Sequence, residues 1–147
     1  MSNHKQIADE LAKLLAESYT LYLKTHNYHW NVTGPMFHTL HTLFEQQYTE
    51  LATAVDEIAE RIRTLGYKAP GSYTEFAKLS EVMEETGEPK AEAMVQNLTD
   101  DHRKVAEQAH RIVRMASENG DEGSVALASG RIEVHEKSAW MLHAHLE

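Results

Sequence analysis

Glycine and proline occur rarely in this chain, and their few clusters divide it into long uninterrupted segments. The 147 residues include seven glycines and three prolines, and the segments between them are rich in Ala, Leu, Glu, Lys and Gln, which favour helix interiors. No stretch alternates apolar and polar residues for long enough to form a sheet strand. The sequence therefore predicts an all-α fold with four long helices, at residues 5–32, 36–65, 89–118 and 121–146.

The connections between the predicted helices differ in length. Helices one and two, and helices three and four, are separated by very short turns, so each pair is expected to be antiparallel. Residues 66–88 form a much longer link, which can run back along the bundle. Within it, Ser72 and Glu75 have the spacing of a capping box for a short helix at 73–79. We expect one domain over residues 1–147, a four-helix bundle whose long crossover carries this short helix.

Composition excludes several kinds of site. The chain has no cysteine, so disulfides, thiolate metal sites and cysteine nucleophiles are ruled out. Its formal charge of −9 disfavours non-specific binding to nucleic acid and favours the attraction of cations. No apolar run approaches the roughly 20 residues needed to cross a bilayer, and the first residues lack the character of a signal peptide. We therefore expect a cytoplasmic protein with no membrane association.

The second predicted helix carries an apolar stripe and, beside it, a line of potential metal ligands. The line consists of His41, Glu45, Asp56 and Glu60, in two pairs with i, i+4 spacing, so each pair can offer two ligands to one ion. A solvated helix face with i, i+4 ion pairs is the alternative interpretation of these acids. The predicted core stripe of the same helix is Phe37, Leu40, Phe44, Leu51, Val55, Ile58, Ile62 and Leu65.

The two ligand pairs are too far apart to share a metal ion within one helix. Eleven residues separate Glu45 from Asp56, which is about 16 Å along the axis, whereas ligand bonds are about 2 Å long. Two copies of the helix packed antiparallel about a two-fold axis would bring the pairs together at two identical sites. His29, near the end of helix one, could join His41 at the same site. A histidine that only packs in the core is the alternative interpretation of His29.

Several short motifs occur together in this region. They are HWNVTG at residues 29–34, LH at 40–41, Glu45, and DEIAER at 56–61. With this set the chain resembles the Dps family of mini-ferritins, and the resemblance extends to the plan of the helices. It implies a ferritin-like four-helix bundle with five ferroxidase ligands for iron. One subunit supplies His29, His41 and Glu45, and its two-fold mate supplies Asp56 and Glu60.

The same resemblance implies an activity and an assembly. Family members oxidise Fe(II), with hydrogen peroxide in preference to oxygen, and store the ferric mineral inside a hollow homododecamer built from two-fold dimers. We therefore expect an iron-storage and detoxification protein that acts under oxidative stress. The ligand types agree with iron chemistry, because carboxylates are hard donors that favour Fe(III) and imidazole also binds iron.

Three further residues are candidates. Trp30 is expected to pack against the site or to quench a radical, and simple packing at a helix end is the alternative. In the family, acidic residues near the start of the last helix line iron-entry pores at three-fold axes. Asp121 and Glu122 could fill this role here, although Gly123 and Ala126 replace acids that many relatives carry. The alternative is that both are first-turn acids favoured by the helix dipole.

DNA binding and a purely structural role are competing interpretations. Dps proteins that bind DNA usually have basic terminal tails, whereas this chain has only Lys5 before its first apolar turn, so we expect no DNA binding. An iron site inside one subunit would require Glu-x-x-His motifs on two inward-facing helices. The single match, Glu107 to His110, lies away from the apolar stripe of its helix. A non-enzymatic helical scaffold or interaction protein is the remaining alternative.

Overall fold

Helices make up the regular structure of the chain in this computed structural model, which describes residues 2–147. In chain order they are α1 (Ser2–Asn31), α2 (Phe37–Thr64), α3 (Tyr73–Leu79), α4 (Ala91–Glu118) and α5 (Glu122–His143), followed by a 3-10 turn at Ala144–Leu146. The described residues contain no β-strand, and none of their helices combines the length and the hydropathy of a membrane span. The predicted all-α class, the four long helices and the short crossover helix are therefore confirmed.

Most helix ends fall within a few residues of the predicted positions. Gly66 and Gly120 follow α2 and α4 with φ angles of 100° and 68°, a left-handed backbone that glycine adopts without strain and that ends a helix. Pro89 lies outside α4, which begins after an extended Lys90. The last α-helix ends at His143 rather than at residue 146, because the chain tightens there into a 3-10 turn.

The four long helices pack as two pairs, α1 with α2 and α4 with α5, and α1 also packs against α4. The crossover between α2 and α4 carries α3 against α1. Ser72 caps α3 as predicted, since its hydroxyl accepts the backbone N–H of Glu75 at 3.2 Å and donates to the Glu75 carboxylate at 2.9 Å. Further along, the Tyr28 hydroxyl of α1 donates to Glu85 at 2.5 Å. The crossover is thus tied to α1 both at α3 and at Glu85.

The buried side chains of α2 follow its predicted apolar stripe, except that Val55 and Leu65 are half-buried and Phe37 is exposed. Leu51 and Ile58 of α2 and Leu98 of α4 are fully buried. Phe37, which the sequence placed in the core, is 41% exposed. It stands in the first turn of α2, and its ring stacks on His41 with 4.9 Å between the centroids instead of packing inwards. The buried stripe of α2 therefore begins one turn later, at Leu40.

A buried polar network joins α4, α5 and α2. The Nδ1 atoms of His102 and His135 are 2.8 Å apart, and both rings are buried. Arg131 donates from Nη2 to Nε2 of His135 at 3.1 Å and to the Glu50 carboxylate at 3.0 Å. Because Nε2 of His135 accepts, its Nδ1 carries the proton and donates to His102. Burial lowers the pKa of His102 to about 3 and that of His135 well below its usual value, so both rings are neutral at neutral pH.

Candidate metal centre

The end of α1 and the start of α2 bring His29 and His41 into direct contact. Their rings stack with 3.8 Å between the centroids and 13° between the planes. Nδ1 of each ring lies 2.7 Å from the backbone carbonyl oxygen of the other residue, and since a carbonyl can only accept, each Nδ1 carries a proton. The free lone pair of each neutral ring is therefore on Nε2, where a metal ion can bind. Hydrogen bonds to backbone carbonyls are a usual way to orient metal-binding histidines.

Three carboxylates share the flank of α2 that continues from His41. Glu45, Asp56 and Glu60 are all exposed, and α2 is one unbroken helix, so Asp56 lies about 16 Å along the axis from Glu45. Within residues 2–147, no three His, Asp or Glu side chains come together as a group that could hold a metal ion. One chain thus brings His29 and His41 together near Glu45 and leaves Asp56 and Glu60 at the other end of the flank.

A groove lined by apolar and aromatic side chains lies beside Asp56, between α2 and the crossover. Leu15, Tyr19 and Phe76 form part of its wall, together with Ala52 of α2. Ala52 is exposed. The acidic flank of α2 and the adjoining groove are therefore left uncovered by the rest of this chain.

Trp30 stands on the last turn of α1 and is 58% exposed. Its ring contacts His26 with 3.9 Å between the centroids, and His26 contacts Tyr48 at 4.3 Å. Tyr48 lies 5.3 Å from His29. Trp30 is therefore connected to the histidine pair through aromatic contacts, while most of its own surface remains open.

Asp121 caps α5 and pairs with Arg61 near the end of α2. Its carboxylate accepts the backbone N–H of Ser124 at 3.1 Å, the Ser124 hydroxyl at 2.6 Å and an N–H of Arg61 at 2.6 Å. Burial raises the pKa of this carboxyl, but the hydrogen bonds from Ser124 and Arg61 outweigh burial and hold the pKa below its ordinary value. Gly123 leaves room for the pair, because a Cβ there would lie 2.7 Å from Nη2 of Arg61. Asp121 therefore acts as the N-cap of α5, whereas Glu122 is exposed. A role in iron entry stays a prediction for both residues.

Replacing Asp121 with alanine is expected to lower the free energy of unfolding by about 0.5–2 kcal/mol, the usual cost of removing an N-cap side chain. The matched control is Glu122→Ala, which removes the adjacent exposed acid and no capping bond. Urea unfolding followed by circular dichroism measures both variants at one protein concentration. Equal stability of Asp121→Ala and the parent protein would contradict a contribution from the cap.

The Glu107-x-x-His110 motif points away from the interior of the bundle. Both side chains are exposed, and Nε2 of His110 lies 3.7 Å from a carboxylate oxygen of Glu136 on the neighbouring helix. The predicted outward orientation is confirmed, so this motif offers no ligands to a metal site inside one subunit.

Comparison with known proteins agrees with the fold. The chain matches the ferritin-like domain family over residues 8–147. DNA protection during starvation protein 2 of Bacillus anthracis is 38% identical over 143 residues, which cover 97% of this chain and 98% of that protein.

Two solved structures extend this likeness to three dimensions. A Dps protein from Vibrio cholerae O1, described as a member of a broad superfamily of ferritin-like diiron-carboxylate proteins, superposes with a TM-score of 0.95 at 37% identity, over 99% of this chain and 92% of that one. A Dps protein from Bacillus brevis superposes with a TM-score of 0.96 at 33% identity, over 100% and 99% of the two chains. The chain therefore belongs to the Dps family of ferritin-like proteins.

Proposed function

We propose that this protein oxidises and stores iron, with ferroxidase sites built between two copies of the chain. The observation that carries the proposal is the reciprocal hydrogen bonding of His29 and His41, which leaves Nε2 of two adjacent imidazoles available to a metal ion. Histidine combined with carboxylates is the ligand set of di-iron carboxylate proteins. Membership of the Dps family supports the same function.

Two copies are required because one chain separates its ligands. An antiparallel two-fold contact along α2 would place Asp56 and Glu60 of the partner subunit beside the His29–His41 pair. The same contact would cover the exposed flank of α2 and the groove beside Asp56, which supports this choice of interface. Each dimer would then contain two identical sites.

Iron is the substrate of these sites. Carboxylates are hard ligands that stabilise Fe(III) more than Fe(II), so binding to Glu45, Asp56 and Glu60 would make electron loss easier. Two Fe(II) ions supply the two electrons that, together with two protons, reduce one hydrogen peroxide to two waters, so no hydroxyl radical is released. The protein fixes the geometry of the ligands, and its charge of −9 favours the accumulation of cations.

The proposal includes the assembly and the setting that family membership implies. The subunits form a hollow homododecamer that holds ferric mineral, hydrogen peroxide is preferred to oxygen, and the protein works in the cytoplasm under oxidative stress. Glu122, which is exposed, is better placed than Asp121 to line an iron-entry pore.

We propose no DNA binding, because the net charge is negative and counterion release needs basic groups, although the Bacillus anthracis relative is named for DNA protection.

The test is iron-dependent consumption of peroxide by the assembled protein. Anaerobic Fe(II) is loaded first and hydrogen peroxide is added, with Fe(III) followed by absorbance and peroxide by a separate assay. We expect rapid oxidation with about two Fe(II) consumed per peroxide, and a closed oligomer by light scattering. The control is the double variant Glu107→Ala, His110→Ala, which removes the outward-facing motif and should oxidise iron at the parental rate. A stable monomer, or oxidation no faster than in buffer, would favour the helical-scaffold alternative.

A further inference from the structure

A short stretch of the crossover, residues 81–85, is held against α1 by side chains of that helix. We call this stretch the clasped segment. Lys24 donates from Nζ to the backbone carbonyl of Met83 at 2.8 Å, and the Tyr28 hydroxyl donates to Glu85 at 2.5 Å. The segment follows α3 almost directly, so its position also determines where α3 lies.

A third contact to the clasped segment comes from a buried carboxyl group. Glu17 is 1% exposed, and its Oε2 accepts the backbone N–H of Glu81 at 3.0 Å. Its other oxygen, Oε1, is buried and finds no hydrogen-bond partner among residues 2–147. A charged carboxylate here would have one oxygen both unpaired and away from water, which costs free energy. A neutral carboxyl keeps the bond to Glu81 through its carbonyl oxygen and buries no charge.

The charged groups that face Glu17 do not compensate for its burial. Burial raises the pKa of this carboxyl to about 7, although the N–H of Glu81 and the nearby Lys13 lower it. The Glu81 carboxylate raises the pKa as well, and Arg111 of α4 lowers it. Lys13 is itself paired with the Glu81 carboxylate at 2.9 Å, which Lys104 of α4 also faces. Glu17 therefore changes its charge near neutral pH, at a point where the crossover contacts α1.

We propose that loss of the Glu17 proton loosens the clasped segment, so that the crossover is a pH-sensitive support for the two-fold surface. Phe76 of α3 packs on Tyr19 of α1 with 5.1 Å between the ring centroids. Both rings line the groove beside Asp56, which the proposed two-fold contact covers. A loosened segment leaves α3 less firmly placed and therefore weakens assembly. The link to assembly rests on the proposed function, whereas the response of the segment itself does not.

The direction of the effect follows from the two states of the segment. The pKa of Glu17 is about 7 in the docked state, whereas that of a hydrated glutamate is 4.5. Docking is therefore most stable at low pH, loses stability as pH rises between these two values, and changes little above them. The open fraction should rise by about fortyfold between pH 5 and pH 7, and by only about twofold from pH 7 to pH 8.

The first arm of the test measures opening of the segment in the intact protein. Hydrogen–deuterium exchange with mass spectrometry is recorded from pH 5 to pH 8, and each rate is divided by that of an unstructured peptide of the same sequence. We expect the stated pH dependence in peptides that contain residues 81–85. Glu17→Gln keeps an oxygen for the Glu81 N–H and carries no charge, so it should remove this dependence and fold at least as stably as the parent at pH 8. The matched control is Glu84→Gln, which changes an exposed acid of the same segment and should keep the parental dependence.

The second arm follows dissociation of the oligomer on dilution, by light scattering at pH 6 and pH 8. We expect the parent protein and Glu84→Gln to dissociate at a several-fold higher concentration at pH 8, and Glu17→Gln to dissociate at the same concentration at both. Exchange that is independent of pH, or equally dependent in Glu17→Gln, overturns the inference, and so does a Glu17→Gln variant that fails to fold. A response of the segment without a change in dissociation overturns the link to assembly. A pH-dependent segment in a protein that is monomeric at every pH overturns the proposed function instead.

Discussion

Alanine at His41 and alanine at Asp56 are each expected to abolish rapid peroxide-driven iron oxidation, and co-assembly of the two variants should restore about a quarter of it. Each single variant removes one ligand from every site, because all subunits carry the same change. In a mixed dimer, one site lacks both ligands. The other site combines the intact His41 of one chain with the intact Asp56 of the other and is therefore complete. When the two variants pair at random in equal amounts, half of the dimers are mixed, so about a quarter of all sites recover.

The measurement uses the two variants with different affinity tags, co-expressed and purified over both tags before the iron assay. Loss of folding is a minor concern, since Asp56 is exposed and His41→Ala loses one hydrogen bond to the His29 carbonyl, worth about 0.5–1.5 kcal/mol. Circular dichroism should show parental helix content for both. The control pair is His41→Ala with Glu45→Ala, two ligands expected from the same chain, for which the mixed dimer should contain no complete site. Recovery by the control pair, or none by His41→Ala with Asp56→Ala, would contradict the two-chain site.

Acidification from pH 7 to pH 5 is expected to remove about 2–4 kcal/mol of stability through His102 and His135. Burial holds both folded pKa values far below that of an exposed histidine, with His102 at about 3. Below about pH 6.5 the unfolded chain therefore binds protons that the folded protein does not, and stability falls as pH falls. The loss continues until pH reaches the folded pKa values, and it grows by about 1.4 kcal/mol per histidine for each pH unit.

One buried acid acts in the opposite direction. Burial raises the pKa of Glu17 to about 7, so the folded protein takes up this proton before the unfolded chain does, and acidification through that range stabilises the fold. The comparison is therefore made in a Glu17→Gln background, by urea unfolding at several pH values and one protein concentration.

Replacing His102 with leucine in that background should reduce the dependence of the unfolding free energy on pH by about 1.4 kcal/mol per pH unit below pH 6. His110→Gln is the matched control, because this histidine is exposed and should leave the pH dependence unchanged. An unchanged pH dependence in His102→Leu, or an equal reduction in His110→Gln, would contradict the assignment to the buried pair.

Most of the fold was predictable from the sequence, because its signals are local. Glycine at the helix ends, as at Gly66 and Gly120, and the capping box at Ser72 depend on neighbouring residues only. Helical periodicity was also sufficient to place His41 and the acids of α2 on one flank and His29 at the same end. The role of these residues as ligands stays a proposal, since it depends on a second copy of the chain.

The features that the sequence did not predict depend on distant residues. His102 and His135 are 33 positions apart in the sequence. Glu50 and Arg131, which form an ion pair, are 81 positions apart. Arg131 and His135 do occupy the buried face of α5, together with Ala128 and Ala139, so polar residues at core spacing were an available signal. Phe37 was wrongly placed in the core because periodicity does not reveal where a helix extends beyond its neighbours.

The crossed hydrogen bonds of His29 and His41 also bear on the order in which a site would form during biogenesis. They close the short loop between α1 and α2 within one chain, so a newly folded subunit already holds its two imidazoles in place before it meets another. On the proposed arrangement, association and not folding would be the event that completes each site. The number of working sites would then follow subunit concentration, and a cell with few copies would hold folded protein with little capacity to oxidise iron.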